Sequence, residues 1–414
     1  MKLIKTSFYT SISTAITFIS GFIVTKVVAV KIGPVGMAYV GQYQNTIAII
    51  AMFSTLAITT GVVKYLAEHN EDSIKKKKII STAFVIILVS SSIISLLVIA
   101  FNHALSVASF KSGDFSDIFL LYGFFVVLIA FNSLITAIYN GLKEIRHLTL
   151  VSVSGSLAGI IFTVLFAYKM GVKGVLIANN FTAIVIFIIN MVVLYKNKYF
   201  YLKPDLSNWD YSLARLLLGF TVMGVVSGFV MPLAQIMIRN KIVNLFSANE
   251  AGWWQGVTRI SDYYLGFVTT VLSVYYLPRL SEIKSKDELK IEIIKGYKIV
   301  LPVVGFMALL IWLFRYAIIH ILFSKDFLPM TPLFTFQLLG DFFKIASFLL
   351  GYVLIAKAAI KIFIITEVLF SISLVILSYF FLNRYGIIGT TYAFCINYLL
   401  YWIIIFFVTR KYLN

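Results

Sequence analysis

The sequence holds one cysteine, four histidines, seven prolines and only 17 acidic residues in 414. A lone Cys395 excludes an intramolecular disulfide framework. His69, His103, His147 and His320 are scattered without ligand spacing, which excludes a Cys/His metal site, and no cofactor is expected. Charged residues make up 13% of the chain, about half the share found in soluble domains. That scarcity excludes a soluble globular enzyme and a disordered chain. What is present instead is 60% hydrophobic residues and a mean hydropathy of +0.96, the composition of an integral membrane protein. The shortage of acids leaves a net charge of +18. Taken alone, such an excess suggests a polyanion such as nucleic acid, so the position of the charges decides.

A spanning helix needs about 20 apolar residues to cross about 30 Å of hydrocarbon. Twelve stretches qualify, at about 7–30, 37–64, 80–102, 117–140, 148–168, 174–195, 213–238, 252–278, 298–322, 332–356, 362–382 and 387–409. Barrel strands alternate and are about 10 residues long, so these runs are helices. The expected fold is an all-α integral membrane protein with 12 transmembrane helices. The first run follows Met1-Lys2-Leu3-Ile4-Lys5 and resembles a signal peptide. It is about twice as long as a signal-peptide core and lacks a small-residue cleavage site, so it reads as a retained span.

An even number of spans puts both termini on one side. Of the 35 basic residues, 23 fall on that side, among them Lys75-Lys76-Lys77-Lys78. Eight fall on the other: Lys31, Lys111, Lys169, Lys173, Arg239, Lys241, Lys325 and Arg384. The bias places both termini in the cytoplasm. It also disposes of nucleic acid as a partner, and the lysine run reads as a topogenic or lipid-headgroup contact. No loop exceeds roughly 20 residues, which leaves no room for an extramembrane catalytic domain, so an enzyme is not expected.

The two halves resemble each other. Met170-Gly171-Val172-Lys173-Gly174 matches Tyr385-Gly386-Ile387-Ile388-Gly389 at an offset of 215. The same offset pairs Ile145-Arg146 with Ile360-Lys361 and Gly41 with Gly256, while Ser20-Gly21-Phe22 pairs with Ser227-Gly228-Phe229 at an offset of 207. Six spans per copy make the repeat parallel, a transporter-type design. The expectation is two six-helix lobes, 1–205 and 206–414, joined through the basic stretch Tyr195–Arg215 with Pro204.

Seven ionisable residues lie within spans: Lys26, Arg259, Asp262, Arg315, Asp341, Lys344 and Glu367. A central charge costs about 2.5–3.5 kcal/mol on insertion scales, so most must face one another, water or the interface. Arg259/Asp262 and Asp341/Lys344 are spaced i, i+3, which puts each pair on one helix face and allows it to self-compensate. Two readings stay open: ion pairs that orient the helices, or a hydrated charged pathway. Buried pairs stabilise poorly, which favours the pathway. Lys26 reads either as snorkelling to outer headgroups or as an anion contact. Arg315 reads as snorkelling. Glu367 reaches the inner interface or couples protons. Span two carries Gln42, Gln44, Asn45 and Thr46, with Gln44 at the repeat position of Arg259. These residues line a wet cavity or bond between helices. Trp253 and Trp254 read as an interfacial belt rather than a sugar platform.

Several motifs then point to a family. They are Trp254-Gln255-Gly256-Val257, Ile260-Ser261-Asp262, Val274-Tyr275-Tyr276-Leu277-Pro278-Arg279-Leu280-Ser281, Gln337-Leu338-Leu339-Gly340-Asp341 with Lys344, Gly351-Tyr352, Ala356-Lys357-Ala358 and Tyr201-Leu202-Lys203-Pro204. Together they resemble the Wzx-type lipid-linked oligosaccharide flippases of Gram-negative bacteria, in the enterobacterial common antigen and O-antigen branch. The resemblance covers essentially the whole chain and implies membership of the superfamily that also holds multidrug and toxin extruders. It implies two six-helix lobes around a cavity that opens alternately to each side. The implied substrate is an undecaprenyl-pyrophosphate-linked oligosaccharide carried from the cytoplasmic to the periplasmic leaflet of the inner membrane. A glycan polymerase and a chain-length regulator are the implied partners, beside membrane lipids.

On this reading Lys26, Gln44, Arg259 and Lys344 bind substrate, since Arg forks and Lys ammonium groups suit phosphate oxygens. Asp262, Asp341 and Glu367 serve as ion-pair or coupling residues. The rival reading is a cation-coupled multidrug exporter on the same fold. A membrane glycan polymerase or ligase would need a large periplasmic loop, and a purely structural bundle would not retain the internal charges.

Overall fold

The computed structural model describes residues 2–196, 205–357 and 359–413. The linker motif Tyr201-Leu202-Lys203-Pro204 and Ala358 lie outside the described residues. The described residues fall into two compact units, 1–32 with 42–232 and 33–41 with 233–414.

Unit 1 contains most of α1 (Lys2–Thr55), α2 (Thr59–Glu68), α3 (Ser73–Ala100), α4 (Asn102–Phe110), α5 (Ser116–Gly141), α6 (Ile145–Lys196), α7 (Tyr211–Leu218) and the first half of α8 (Thr221–Leu245). Unit 2 contains the rest of α8, α9 (Ala248–Val271), a π-helical turn at Leu272–Tyr276, α10 (Leu277–Glu282), α11 (Lys286–Leu313), α12 (Arg315–Leu322), a 3₁₀ segment at Lys325–Leu333, α13 (Phe334–Ala356), α14 (Ile360–Tyr385) and α15 (Ile388–Leu413). Among the described residues, eight helices are long and apolar enough to cross a membrane. The chain is therefore a multi-pass helical membrane protein.

Two of those helices bend at glycine. Helix α1 breaks at Gly33 (φ 70°) before Pro34, and α6 breaks at Gly171 (φ 58°). At Gly386, between α14 and α15, φ is 64°. L-residues pay a penalty in this left-handed region, and glycine does not. The next glycines, Gly174 and Gly389, leave no space for a Cβ: one would overlap the carbonyl of Phe166, the other that of Phe381. Both turns thus share one geometry at the offset of 215 noted in the sequence.

Three elements differ from the expected spans. The stretch 37–64 is not one helix, because Leu56 (φ 48°) and Ala57 (φ 52°) break it before α2. The absent side chain of Gly224 lets Ala57 pack against its backbone, which compensates for the strained turn. Helix α11 begins at Lys286, well before residue 298, on a charged first turn. Span eight passes through the π-helical turn instead of running straight.

The core of unit 1 packs Ile58, just before α2, and Val62 and Leu66 of α2 against Ile79, Ala83 and Ile87 of α3, with Leu134 of α5 and Leu217 of α7. The lysine run at the start of α3 is engaged within the protein. Lys75 pairs with Asp72 at 3.9 Å, Lys77 with Asp205 at 3.7 Å and Lys78 with Asp210 at 3.6 Å. Lys76 is buried and donates to the carbonyl of Asn70 at 2.8 Å. Two of these charges, Lys77 and Lys78, also hold the segment that precedes α7. The Asp205 carboxyl is held below its ordinary range first by hydrogen bonds from Ser207, and the Asp210 carboxyl first by those from Ser212 and Leu213, with Lys77 and Lys78 adding to each.

In unit 2, α13 packs against α15, α11 and α9. Gly340 admits the Phe394 ring, which would collide with any Cβ there. The Tyr297 hydroxyl donates to the carbonyl of Ala346 at 2.6 Å and accepts from Trp402 Nε1 at 2.9 Å, tying α11, α13 and α15 together.

Candidate functional site

A carboxylate in a membrane span needs donors, because water is absent and desolvation is costly. Asp341 sits in the middle of the apolar helix α13 and is 0% exposed. Its Oδ2 accepts from Ser261 Oγ at 2.6 Å and Tyr264 Oη at 2.8 Å, both on α9, and its Oδ1 accepts from Gln337 Nε2 at 3.3 Å, one turn earlier. Ser261 and Tyr264 are i, i+3 on α9, so a single face presents both hydroxyls. Neighbours therefore hold this buried carboxylate through charge-assisted hydrogen bonds.

Lys344 makes none of these hydrogen bonds. Among the described residues, Asp341 and Lys344 form no direct ion pair within 4 Å, although each lies within electrostatic reach of the other. Instead the Lys344 ammonium lies 5.6 Å from the ring centre of Tyr398 and 5.9 Å from those of Phe348 and Phe394. An ammonium over aromatic faces gains cation–π attraction, and more so when desolvated. The cause is local: hydroxyls of α9 occupy the carboxylate, and rings of α13 and α15 surround the stem of the lysine.

Tyr398 on α15 is the common neighbour. It lies within electrostatic reach of Lys344, Asp341, Glu367 and Asp262. Four of the residues singled out in the sequence thus gather around one buried tyrosine of unit 2. Asp262 itself is exposed, and Glu367 is half-buried on α14.

Arg259 is half-buried on α9 beside the charge of Arg239. Arg239 corrects another expectation. The sequence counted it with an outer loop, but it lies inside α8 and is 2% exposed. Its guanidinium donates to Gln255 and lies 5.3 Å from the ring centre of Trp254. Trp254 is 6% exposed, so it is a core residue and not part of an interfacial belt. Gly41 leaves the space that Gln255 occupies. Arg315 stacks 4.5 Å over Trp312 at the break between α11 and α12.

Lys26 and Gln44 belong to unit 1: Lys26 is half-buried on the first arm of α1, and Gln44 is exposed on the second. Sequence reasoning missed Ser261, Tyr264, Tyr398 and Arg239 as parts of the site. Ser261 and Tyr264 flank Asp262 on the charged helix, a signal that was present. Arg239 gave none, since Arg239-Asn240-Lys241 at the end of an apolar run looks like a loop. Among the described residues no group of three His, Cys, Asp or Glu side chains could hold a metal ion.

The profile of the family described as polysaccharide biosynthesis protein matches residues 3–284. The lipid III flippase of Escherichia coli (strain K12) is 30% identical over 405 residues, covering 97% of this chain and 96% of that protein. A putative O-antigen transporter of Shigella flexneri is 22% identical over 413 residues, covering 97% and 96%. Among solved structures, the inward-facing form of a multidrug resistance MATE family transporter of the MOP superfamily aligns with a TM-score of 0.79 at 16% identity, covering 97% of this chain and 94% of that one. The outward-facing form of such a transporter aligns with a TM-score of 0.71 at 15% identity, covering 97% and 95%. At these identities the solved structures establish the fold alone. The family match over most of the residues and the 30% relative along nearly the whole length show that this chain belongs to the polysaccharide biosynthesis protein family, as its resemblance to the lipid-linked oligosaccharide flippases implied.

Proposed function

We propose that this protein is a flippase for a lipid-linked oligosaccharide and not an enzyme. The observation that carries the reading is the similarity to a lipid III flippase along almost the full length of both chains. The charged interior of unit 2 supplies the chemistry. A pyrophosphate cannot enter hydrocarbon unaided, because burying its charge is very costly. Cationic groups inside the spans lower that barrier.

In this reading the protein crosses a bacterial inner membrane twelve times, as two six-helix lobes related by a parallel repeat, with both termini cytoplasmic. It moves an undecaprenyl-pyrophosphate-linked repeat unit, of O-antigen or common-antigen type, to the periplasmic leaflet by alternating access. A polymerase and a chain-length regulator act on the product there. Arg259 and Lys344 attract the pyrophosphate, with Lys26 and Gln44 as further contacts. Asp262 and Glu367 balance the cations, and Asp341 is the coupling residue. A proton on Asp341 turns an acceptor into a donor, which breaks part of its arrangement with Ser261 and Tyr264 and gives that helix contact two states.

The test is deletion of the gene in its own host, with surface glycan measured before and after complementation. Loss of glycan on deletion and recovery with the wild-type gene are expected. Unchanged glycan with gained drug sensitivity would favour the multidrug exporter instead.

A further inference from the structure

Unit 1 contains a cavity of about 970 Å³, at the upper end of the usual range for ligand pockets. Its lining comes from α1, α2, α5 and both arms of α6, and among its lining residues none is ionisable and none is aromatic. Hydroxyls and amides recur there at helical spacing, as in Asn132, Thr136 and Asn140 along α5.

The hydrogen bonds show what these groups have left to offer. Thr136 Oγ1 donates to the carbonyl of Asn132 at 2.8 Å, Ser133 Oγ to Ile129 at 3.2 Å and Thr182 Oγ1 to Ala178 at 2.9 Å. Each hydroxyl proton is therefore committed to its own helix, while the oxygen lone pairs remain available as acceptors. Asn132 is committed at both ends, donating to the carbonyl of Ala183 at 2.9 Å and accepting from Asn190 at 3.0 Å, and so braces α5 against α6. Asn140 and Asn179 are exposed and have no side-chain partner among the described residues, so each offers two donors and an acceptor.

We infer that this cavity binds uncharged sugar residues of the carried glycan through these acceptors and amides. The inference rests on the flippase reading and assigns the glycan part of the substrate to unit 1. A neutral saccharide presents many hydroxyl donors and matches a lining rich in acceptors. Among the described lining residues a lipophilic cation finds no carboxylate, and a pyrophosphate finds no cation. Apolar side chains such as Ile129 and Leu148 complete the wall against sugar C–H faces.

A single-cysteine protein tests this directly. Cys395→Ser removes the native thiol, and Thr136→Cys places one in the cavity. In the purified full-length protein, millimolar chitotriose should slow labelling by N-ethylmaleimide at least threefold, and inorganic pyrophosphate should leave the rate unchanged. No protection by chitotriose, or equal protection by pyrophosphate, overturns the inference. In cells, Asn140→Leu combined with Thr182→Val should lower surface glycan at least tenfold at equal membrane level, whereas Thr182→Ser, which keeps the hydroxyl, should not. If the wild-type gene fails to restore glycan, the flippase reading falls and the labelling result alone judges the cavity. If wild type and the double variant restore it equally, the cavity inference falls and the flippase reading stands; if the double variant is absent from the membrane, the labelling result decides.

Discussion

The cavity of unit 1 is lined by uncharged hydroxyls and amides, among them Ser133, Thr136 and Thr182 with their protons bonded to their own helices, whereas the interior of unit 2 holds Arg239, Asp341 and Lys344. The difference in cost is large. A threonine that bonds back to its helix is inexpensive in a span, while an ionised group costs a few kcal/mol even on lenient scales. Unit 2 meets that cost with dedicated partners: two hydroxyls and an amide around Asp341, three rings around Lys344, and Gln255 with Trp254 around Arg239. Groups this costly serve stability poorly. The contrast fits a substrate with one charged end and one neutral, hydroxyl-rich end.

The sharpest way to break the comparison is to remove the cations of unit 2. Arg259→Ala with Lys344→Ala should reduce surface glycan about a hundredfold, the equivalent of about 2.8 kcal/mol, while immunoblots show normal membrane levels. Full activity would remove the charged site from the account. Next is Asp341→Asn, which keeps an acceptor and the volume but loses the charge. Transport is expected to fall about tenfold with little change in thermal midpoint. If transport is unchanged, the carboxylate is only a hydrogen-bond acceptor.

A third comparison concerns what the two units share. Gly171→Ala and Gly386→Ala each add a Cβ with nothing within 4 Å, so only backbone strain is felt. Each should cost roughly 1–3 kcal/mol, and the two costs should be similar because the turns match. Gly174→Ala and Gly389→Ala should each cost more, since their Cβ atoms meet backbone. Unequal losses within a pair, read from thermal unfolding in detergent, would separate the two turns.

The smallest effect lies at the segment before α7. The carboxyls of Asp205 and Asp210 titrate below their ordinary range, so their contribution is complete above the unfolded value near 4 and is lost as pH falls through the lower folded values. Hydrogen exchange at Ser207, Ser212 and Leu213, corrected for intrinsic rates, should be flat from pH 8 to 5 and rise below about 4. A rise near pH 6 would point to a different group.

The sequence made the helices legible because long apolar runs have few other solutions in a membrane. It also disclosed the paired glycine turns and the ionisable residues inside spans. The break at Leu56-Ala57 was hidden, since neither residue marks a turn and the compensating Gly224 is far away in the chain. Asp341 was visible as a buried charge, but its partners on α9 were not, because contacts between helices leave no periodic trace. Spacing alone did not show that Asp341 and Lys344 interact at a distance rather than in direct contact, with hydroxyl donors and aromatic rings as their nearer neighbours. The cavity of unit 1 escaped notice for a related reason: serine and threonine are common in spans, and their arrangement around a void appears only in three dimensions.

Movement of a lipid-linked glycan by this chain can be followed with the purified protein in proteoliposomes that carry a fluorescent polyprenyl-pyrophosphate trisaccharide. Transfer to the opposite leaflet is read by a quencher that cannot cross the bilayer. Faster transfer than in protein-free vesicles is expected, with the gain abolished by Arg259→Ala and Lys344→Ala together. Transfer at the protein-free rate with active wild-type protein would contradict the account.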